Sequence, residues 1–257
     1  MKVQIYSDLH VDINNCYDPK QFLQTEKDTE LYLDAGDTGE YQATIKFYKN
    51  KFWKDKKVLF VGGNHLHYAY GTIEENQNNM KKLFTPQDNI TYLQDSEFVY
   101  KDFVVIGCTL WTDFNVFNLR NYCKKQCRNF NDFKNIKFSE GVPLTPELCQ
   151  VMFDISLKNL HRRLTKFKNK KVIVLTHYAP SLRSCLEQYK QDPITAAFTS
   201  NLEQFIFDHS NIYLWVHGHI HNTSGYQLGN TYVCCNPLGY IHYNEQTNFV
   251  NNLIVDI

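Results

Sequence analysis

Six short runs rich in β-branched and aliphatic residues divide the chain, and each is followed at once by polar or glycine-rich residues. They are Lys2–Ser7, Leu31–Ala35, Lys57–Val61, Phe103–Gly107, Lys171–Thr176 and Ile212–His217. Short stretches that stay apolar without alternating suit strands buried on both faces. Helical patterns lie between them. Tyr41–Lys51 has mixed apolar spacing, and Thr72–Phe84 carries its acids first and its lysines last, as the helix dipole prefers. Thr145-Pro146-Glu147-Leu148 reads as an N-cap with proline at the first helical position, and the pattern runs to about Lys166. After Tyr226 the chain reads as short strands and turns. No linker, repeat or low-complexity tract interrupts it, so one domain over residues 1–257 is expected.

The bulk numbers exclude several classes. At 257 residues, 43% hydrophobic and 15% aromatic, the chain has the makings of a substantial globular core. Its 27 basic and 27 acidic residues cancel, so no global field draws it toward nucleic acid or an anionic membrane. The N-terminal residues hold no apolar stretch long enough for a signal peptide, and no run approaches the ~20 apolar residues of a membrane helix. The 8 cysteines lack the spacing of a small secreted domain and read as reduced thiols of a cytoplasmic protein. In that setting the sequons at Asn89 and Asn222 carry no weight. Cys123 and Cys127 lie one helical turn apart and Cys234 and Cys235 are adjacent; without a second suitably spaced pair they are expected to be buried free thiols, not a zinc site.

The chemistry lies in the residues directly after the strands. The first run leads to Asp8-Leu9-His10, the second to Gly36-Asp37-Thr38-Gly39 and the third to Gly62-Gly63-Asn64-His65. His177 comes after the fifth, and the sixth ends in His217-Gly218-His219-Ile220-His221. Carboxylate, imidazole and amide groups at the carboxyl ends of adjacent strands converge on one crevice, the usual ligand site of an α/β sheet. Hard oxygen donors mixed with imidazoles suit manganese, iron or zinc. Each piece alone is weak, since Asp-x-His arises by chance and a single histidine after a strand is more often structural. All five pieces in order, each after a strand, are far more specific.

That ordered series resembles the signature of the calcineurin-like metallophosphoesterase superfamily, and the match extends from Asp8 to His221. Gly107–Trp111, Thr176–Ser181 and Cys235–Tyr240 are also similar to small phage and bacterial single-domain members. The resemblance implies a four-layer α/β/β/α sandwich with two metal ions at one edge. It places Asp8, His10 and His221 on the first metal, Asn64, His177 and His219 on the second, and Asp37 between them. It further implies hydrolysis of a phosphate mono- or diester by a metal-bridging hydroxide, with His65 toward the leaving group. A small nucleotide-like or cyclic diester is favoured. The sequence departs from the pattern directly after His65, where an acid is usual and Leu66 stands, followed by His67.

Residues 111–142 show no clear strand or long helix. Trp111, Phe114, Phe117, Tyr122, Phe130 and Phe133 alternate there with Arg120, Lys124, Lys125 and Arg128. Two readings stand: a cap gripping the non-reacting part of a phosphate ester, with Arg120, Arg128 and Trp111 as contacts, or an irregular surface segment whose aromatics tuck into the core. For the whole chain, a protein phosphatase, a nuclease or a non-catalytic metal-binding scaffold on the same fold are the competing functions. The filled ligand positions disfavour the scaffold, and the neutral charge disfavours a grip on a long polyanion. The expected partner is a small phosphate ester.

Overall fold

In the structure, a computed structural model describing residues 1–257, the apolar runs become strands of two sheets. The first half runs β1 (Lys2–Tyr6), β2 (Thr29–Asp34), α1 (Tyr41–Tyr48), β3 (Val58–Phe60), α2 (Ile73–Leu83), β4 (Ile90–Tyr92), β5 (Ser96–Tyr100) and β6 (Phe103–Cys108). Next come α3 (Arg120–Cys127), α4 (Asp132–Asn135), β7 (Lys137–Ser139), β8 (Val142–Pro143) and α5 (Pro146–Lys166). The chain ends with β9 (Lys171–Thr176), α6 (Glu203–Phe207), β10 (Ile212–His217), β11 (Ser224–Leu228), β12 (Thr231–Cys235) and β13 (Ile254–Asp256).

One sheet has the order β13-β1-β2-β3-β4 and the other β11-β12-β10-β9-β6-β5; β7 and β8 pair by themselves. Neighbours are parallel in both sheets except at β13, β11 and β5, which join antiparallel. Pleating then sorts each strand into two faces. Val3, Ile5, Leu31, Leu33 and Leu59 of the first sheet meet Val105, Ile173, Leu175, Leu214 and Val216 of the second in a shared apolar layer. Their alternates face outward: Tyr6, Tyr32, Val58 and Phe60 pack with Phe47, Tyr48 and Met80 of α1 and α2. On the other side Val104, Val172, Val174 and Trp215 pack with Phe153, Leu160 and Leu164 of α5. The result is the expected α/β/β/α sandwich, and it explains why the central strands read as unbroken apolar runs.

The helix boundaries follow from capping. Thr72 and Glu75 form a reciprocal capping box at the start of α2, and the Thr145 hydroxyl accepts from Leu148 N–H ahead of Pro146 in α5. The pattern over Tyr41–Lys51 breaks at Tyr48, because Asn50 accepts from Phe52 N–H and starts a separate 3-10 turn at Lys51–Trp53. Residues 111–142 contain two short helices and the β7–β8 pair, and no helix of the chain is long and apolar enough to cross a membrane. All the cysteines are free thiols.

Leu214 is fully buried where the two sheets meet. Leu214→Ala is expected to cost about 2–5 kcal/mol in urea unfolding, through lost apolar burial and the cavity left behind. A loss below ~1 kcal/mol would show that the inter-sheet layer is not the tightly packed one described.

Candidate metal centre

Every candidate ligand sits just past a strand end, and parallel pairing holds those ends in register. Backbone bonds continue beyond the strands: Asp8 N–H donates to Gly36 C=O at 2.8 Å, Asp37 N–H to Gly62 C=O at 3.1 Å, and Gly218 N–H to His177 C=O at 2.9 Å. The loops after β1, β2 and β3 in one sheet and after β9 and β10 in the other are thereby stitched at one edge of the sandwich. The site thus draws on both sheets of the expected sandwich. Asp8, His10, Asp37 and His219 all have left-handed φ, between 41° and 66°. For residues with a Cβ this costs on the order of 1–3 kcal/mol each and clusters at functional sites. Two glycines admit the carboxylates: a Cβ on Gly63 (φ +76°) would collide with the Asp37 carboxylate, and one on Gly218 would lie 2.7 Å from Asp8 Oδ2.

The side chains form two triads joined by Asp37. In each of the groups Asp8, His10, His221 and Asp37, His177, His219, the donor atoms all lie within 4.8 Å of one another. His10 Nε2 is 3.3 Å from His221 Nε2, and His221 Nε2 is 3.5 Å from Asp8 Oδ1. His177 Nε2 lies 3.0 Å from Asn64 Oδ1, 3.2 Å from Asp37 Oδ2 and 3.2 Å from His219 Nδ1. Two of these imidazoles are oriented from outside: His177 Nδ1 is 2.8 Å from Ala35 C=O, and His221 Nδ1 is 2.7 Å from Glu245 Oε2. Each partner accepts only, so each Nδ1 is the donor and Nε2 turns inward. Asn64 Nδ2 donates to Asp132 Oδ1 at 2.9 Å, which leaves the amide oxygen for the site. So many lone pairs aimed at common points are stable only with a cation among them. The donor set fits metal ions with mixed oxygen and nitrogen preference.

Without metal, protons supply that charge. Burial alone would lower the His177 imidazolium, but the Asp37 carboxylate and Asp8 outweigh it and raise it to about 9. Burial is likewise overcome at His221, which the Asp8 and Glu245 carboxylates lift to about 10. The carboxylates respond in kind: burial works against ionisation, yet the surrounding imidazoles hold Asp37 well below its usual range and Asp8 at about 2. Burial, reinforced by neighbouring imidazolium charge, pushes His10 down to about 3 and His219 well below its usual range.

The supporting residues were not visible in the sequence. Asp132, on α4, also accepts from Tyr68 O–H at 2.5 Å, and the Tyr68 ring stacks on His65 at 4.3 Å. A carboxylate 68 residues downstream therefore braces the Asn64–His65 loop, while Leu66 is buried in the apolar layer under α1. His65 gives its N–H to Asp37 Oδ1 at 2.9 Å and has Nε2 at 3.2 Å from the Tyr240 hydroxyl. His67 is buried beside Trp111 with neither ring nitrogen hydrogen-bonded, and His217 is tied to Ser184 Oγ at 2.7 Å. Arg120, Arg128 and Trp111, expected as substrate contacts, do not line the cavity beside the ligands. Arg120 is bound to Asp113, Arg128 to Glu147, and Trp111 is buried in the core. What residues 111–142 do bring to the site is Asn129, Phe130, Asn131 and Asp132, which line a cavity of about 650 Å³ opening on Asp37, Asn64, His65, His219 and His221.

Among known proteins, a family model described as calcineurin-like phosphoesterase matches residues 1–223. The chain is 28% identical over 273 residues to "Uncharacterized protein L509" of Acanthamoeba polyphaga mimivirus, covering 98% of this chain and 95% of that one. The solved structure of phosphopantetheinyl hydrolase from Mycobacterium tuberculosis superposes with a TM-score of 0.68 at 14% identity, over 96% of this chain and 93% of that one. It shares the fold.

Two measurements test the centre. Because the folded-state values of His177 and His221 lie above the ordinary 6.5, their protons compete with metal at neutral pH and leave only as pH rises through about 9 and 10. Apparent metal affinity is expected to climb between pH 6.5 and 9, with roughly two protons released per protein at pH 7.5. Calorimetry in two buffers of different ionisation enthalpy reads this, and absence of proton release would remove the two histidines from the ligand set. Asp132→Ala should weaken metal binding roughly 10–100-fold while the protein stays folded. Asp132→Asn, still able to accept one hydrogen bond, should lose less. Unchanged affinity in both variants would leave Asp132 as a partner of Asn64 and Tyr68 without influence on the metals.

Proposed function

The chain belongs to the calcineurin-like phosphoesterase family, and from that premise we propose that it hydrolyses a small phosphate mono- or diester at a two-metal centre. One observation carries the reading: the Asp8, His10, His221 triad and the Asp37, His177, His219 triad lie side by side, with Asp37 Oδ2 4.0 Å from His10 Nε2, at one end of a cavity of small-ligand size. Asp8, His10, Asp37 and His221 would hold one ion, and Asp37, Asn64, His177 and His219 the other. Bound there, manganese, iron or zinc ions supply Lewis acidity for the phosphoryl oxygens and a water ionised near pH 7.

The protein's own groups do the rest. Asp37, buried and anionic, fixes the spacing between the triads. Glu245 and Ala35 set the His221 and His177 rings with Nε2 inward. His65, at the cavity wall with its Nε2 near Tyr240, is placed to give a proton to the departing oxygen, and stacking on Tyr68 holds its ring plane. A non-catalytic scaffold would have no use for carboxylate, imidazole and amide donors converging on one end of this cavity. A nuclease would need basic side chains there, and none of the lining residues is Lys or Arg.

Asp37→Asn is expected to abolish metal loading and turnover of an aryl phosphate diester in added Mn²⁺, while circular dichroism stays that of the parent. Full turnover by this variant would falsify the two-metal assignment. His65→Ala should keep most of the metal and lose roughly 10²–10⁴ in rate, most for poor leaving groups. Equal losses for good and poor leaving groups would make His65 a phosphate-orienting group and not a proton donor.

A further inference from the structure

The site has a second half that the chemistry above does not use. Beyond the ligands, the cavity is walled by Phe130, Leu186, Tyr189, Ile194, Ala197 and Phe198. The wall starts at the metal centre itself, where the Phe198 ring stacks on His219 at 5.0 Å, and Phe130 continues it 5.8 Å from Phe198. At the mouth Leu186, Tyr189 and Ile194 stand 42%, 50% and 37% exposed. Large apolar side chains held in water around a concave site mark a surface that a ligand covers.

The wall is also built and held. Its residues come from the segment after His177 and from the turn after α3. Thr112 Oγ1, in the loop after β6, donates to Ala196 C=O at 2.7 Å and anchors the segment after His177, and Ser184 Oγ is 2.7 Å from His217 Nε2 and 2.8 Å from Tyr226 O–H. The basic side chains of the segment after His177 are turned to other partners: Arg183 pairs with Glu203 at 3.2 Å and Lys190 with Glu187 at 2.8 Å. None of the 21 lining residues is Lys or Arg, while Asp37, Asp132 and Glu245 are acids. A second phosphate would have to leave water for an apolar wall with no Lys or Arg and with carboxylates nearby, an expensive transfer.

We propose that this cavity selects esters of a single phosphate whose non-reacting group is uncharged and apolar or aromatic. Nucleoside polyphosphates and polynucleotides are excluded by the same wall. The inference rests on the phosphoesterase reading of the site and specifies its substrate class.

Binding of non-hydrolysable phosphonates to the Mn²⁺-loaded protein tests it without turnover. Naphthylmethylphosphonate should bind at least tenfold tighter than methylphosphonate, about 1.4 kcal/mol, and tighter than the α,β-methylene analogue of adenosine diphosphate. Tyr189→Arg, at an exposed position on the mouth, should shrink the naphthyl-to-methyl ratio at least fivefold and favour the adenosine compound. If methyl- and naphthylmethylphosphonate bind within twofold of each other, if the adenosine analogue binds tightest, or if Tyr189→Arg leaves the ratio unchanged, the proposal is overturned. In those cases turnover of an aryl diester keeps the phosphoesterase reading standing. Failure of all three phosphonates to bind, together with no ester turnover, overturns both.

Discussion

The Asp37 carboxylate is buried, with Oδ1 accepting from the His65 N–H at 2.9 Å and Oδ2 facing His177 at 3.2 Å and both His10 and His65 at 4.0 Å. An ionised carboxylate out of water is sustainable only if positive charge or donors surround it. Here they come from the ends of β1, β3 and β9, and so from both sheets. The two sheets must meet at this edge in one register for the charge to be satisfied. A slip of one residue in either would turn its ligands to the opposite face. The apolar layer between the sheets and the anion at its edge therefore depend on the same alignment.

That alignment also accounts for the backbone strain. Asp8, His10, Asp37 and His219 occupy left-handed conformations that side chains with a Cβ disfavour. Such residues persist where the surroundings over-determine them. The central strands before them are buried on both faces, and the backbone bonds from Asp8 to Gly36 and from Gly218 to His177 leave little freedom just beyond. Stability from the sandwich offsets strain at its edge, and the strain turns each side chain back over the strand end toward a common point.

The sequence made some of this legible and hid the rest for physical reasons. The strand runs and the side chains after them could be read because strand, turn and donor lie within a few residues. Leu31–Ala35 and Ile212–His217 match β2 and β10 to within two residues. β4 has only three residues, too few for a periodic signal. Asp132 reaches Asn64 across 68 residues and Glu245 reaches His221 across 24, so neither follows from local pattern. Arg120 and Arg128 looked free to meet phosphate because the sequence does not show that Asp113 and Glu147 are within reach. Of the two readings of residues 111–142, Trp111 and Phe114 fit the one in which aromatics enter the core, while Phe130 lines the cavity. Tyr240 lay in a recognisable stretch whose partner, His65, only the fold reveals.

The division of the cavity arises from the same architecture. The residue directly after β9 is His177, and the apolar wall begins a few residues later, in the same connection to α6. The ligand is set by the sheet ladder at its back. The wall is set by side-chain bonds such as Ser184 to His217 and Thr112 to Ala196, which involve no candidate metal ligand. Substitutions at Leu186, Tyr189 or Ile194 can therefore reshape what the cavity accepts without moving the imidazole at its base. Chemistry fixed by strands and selectivity carried by the loops after them is the usual arrangement of α/β sites. In this chain the boundary between the two is the face of His219, with the donor cluster on one side and the Phe198 ring on the other.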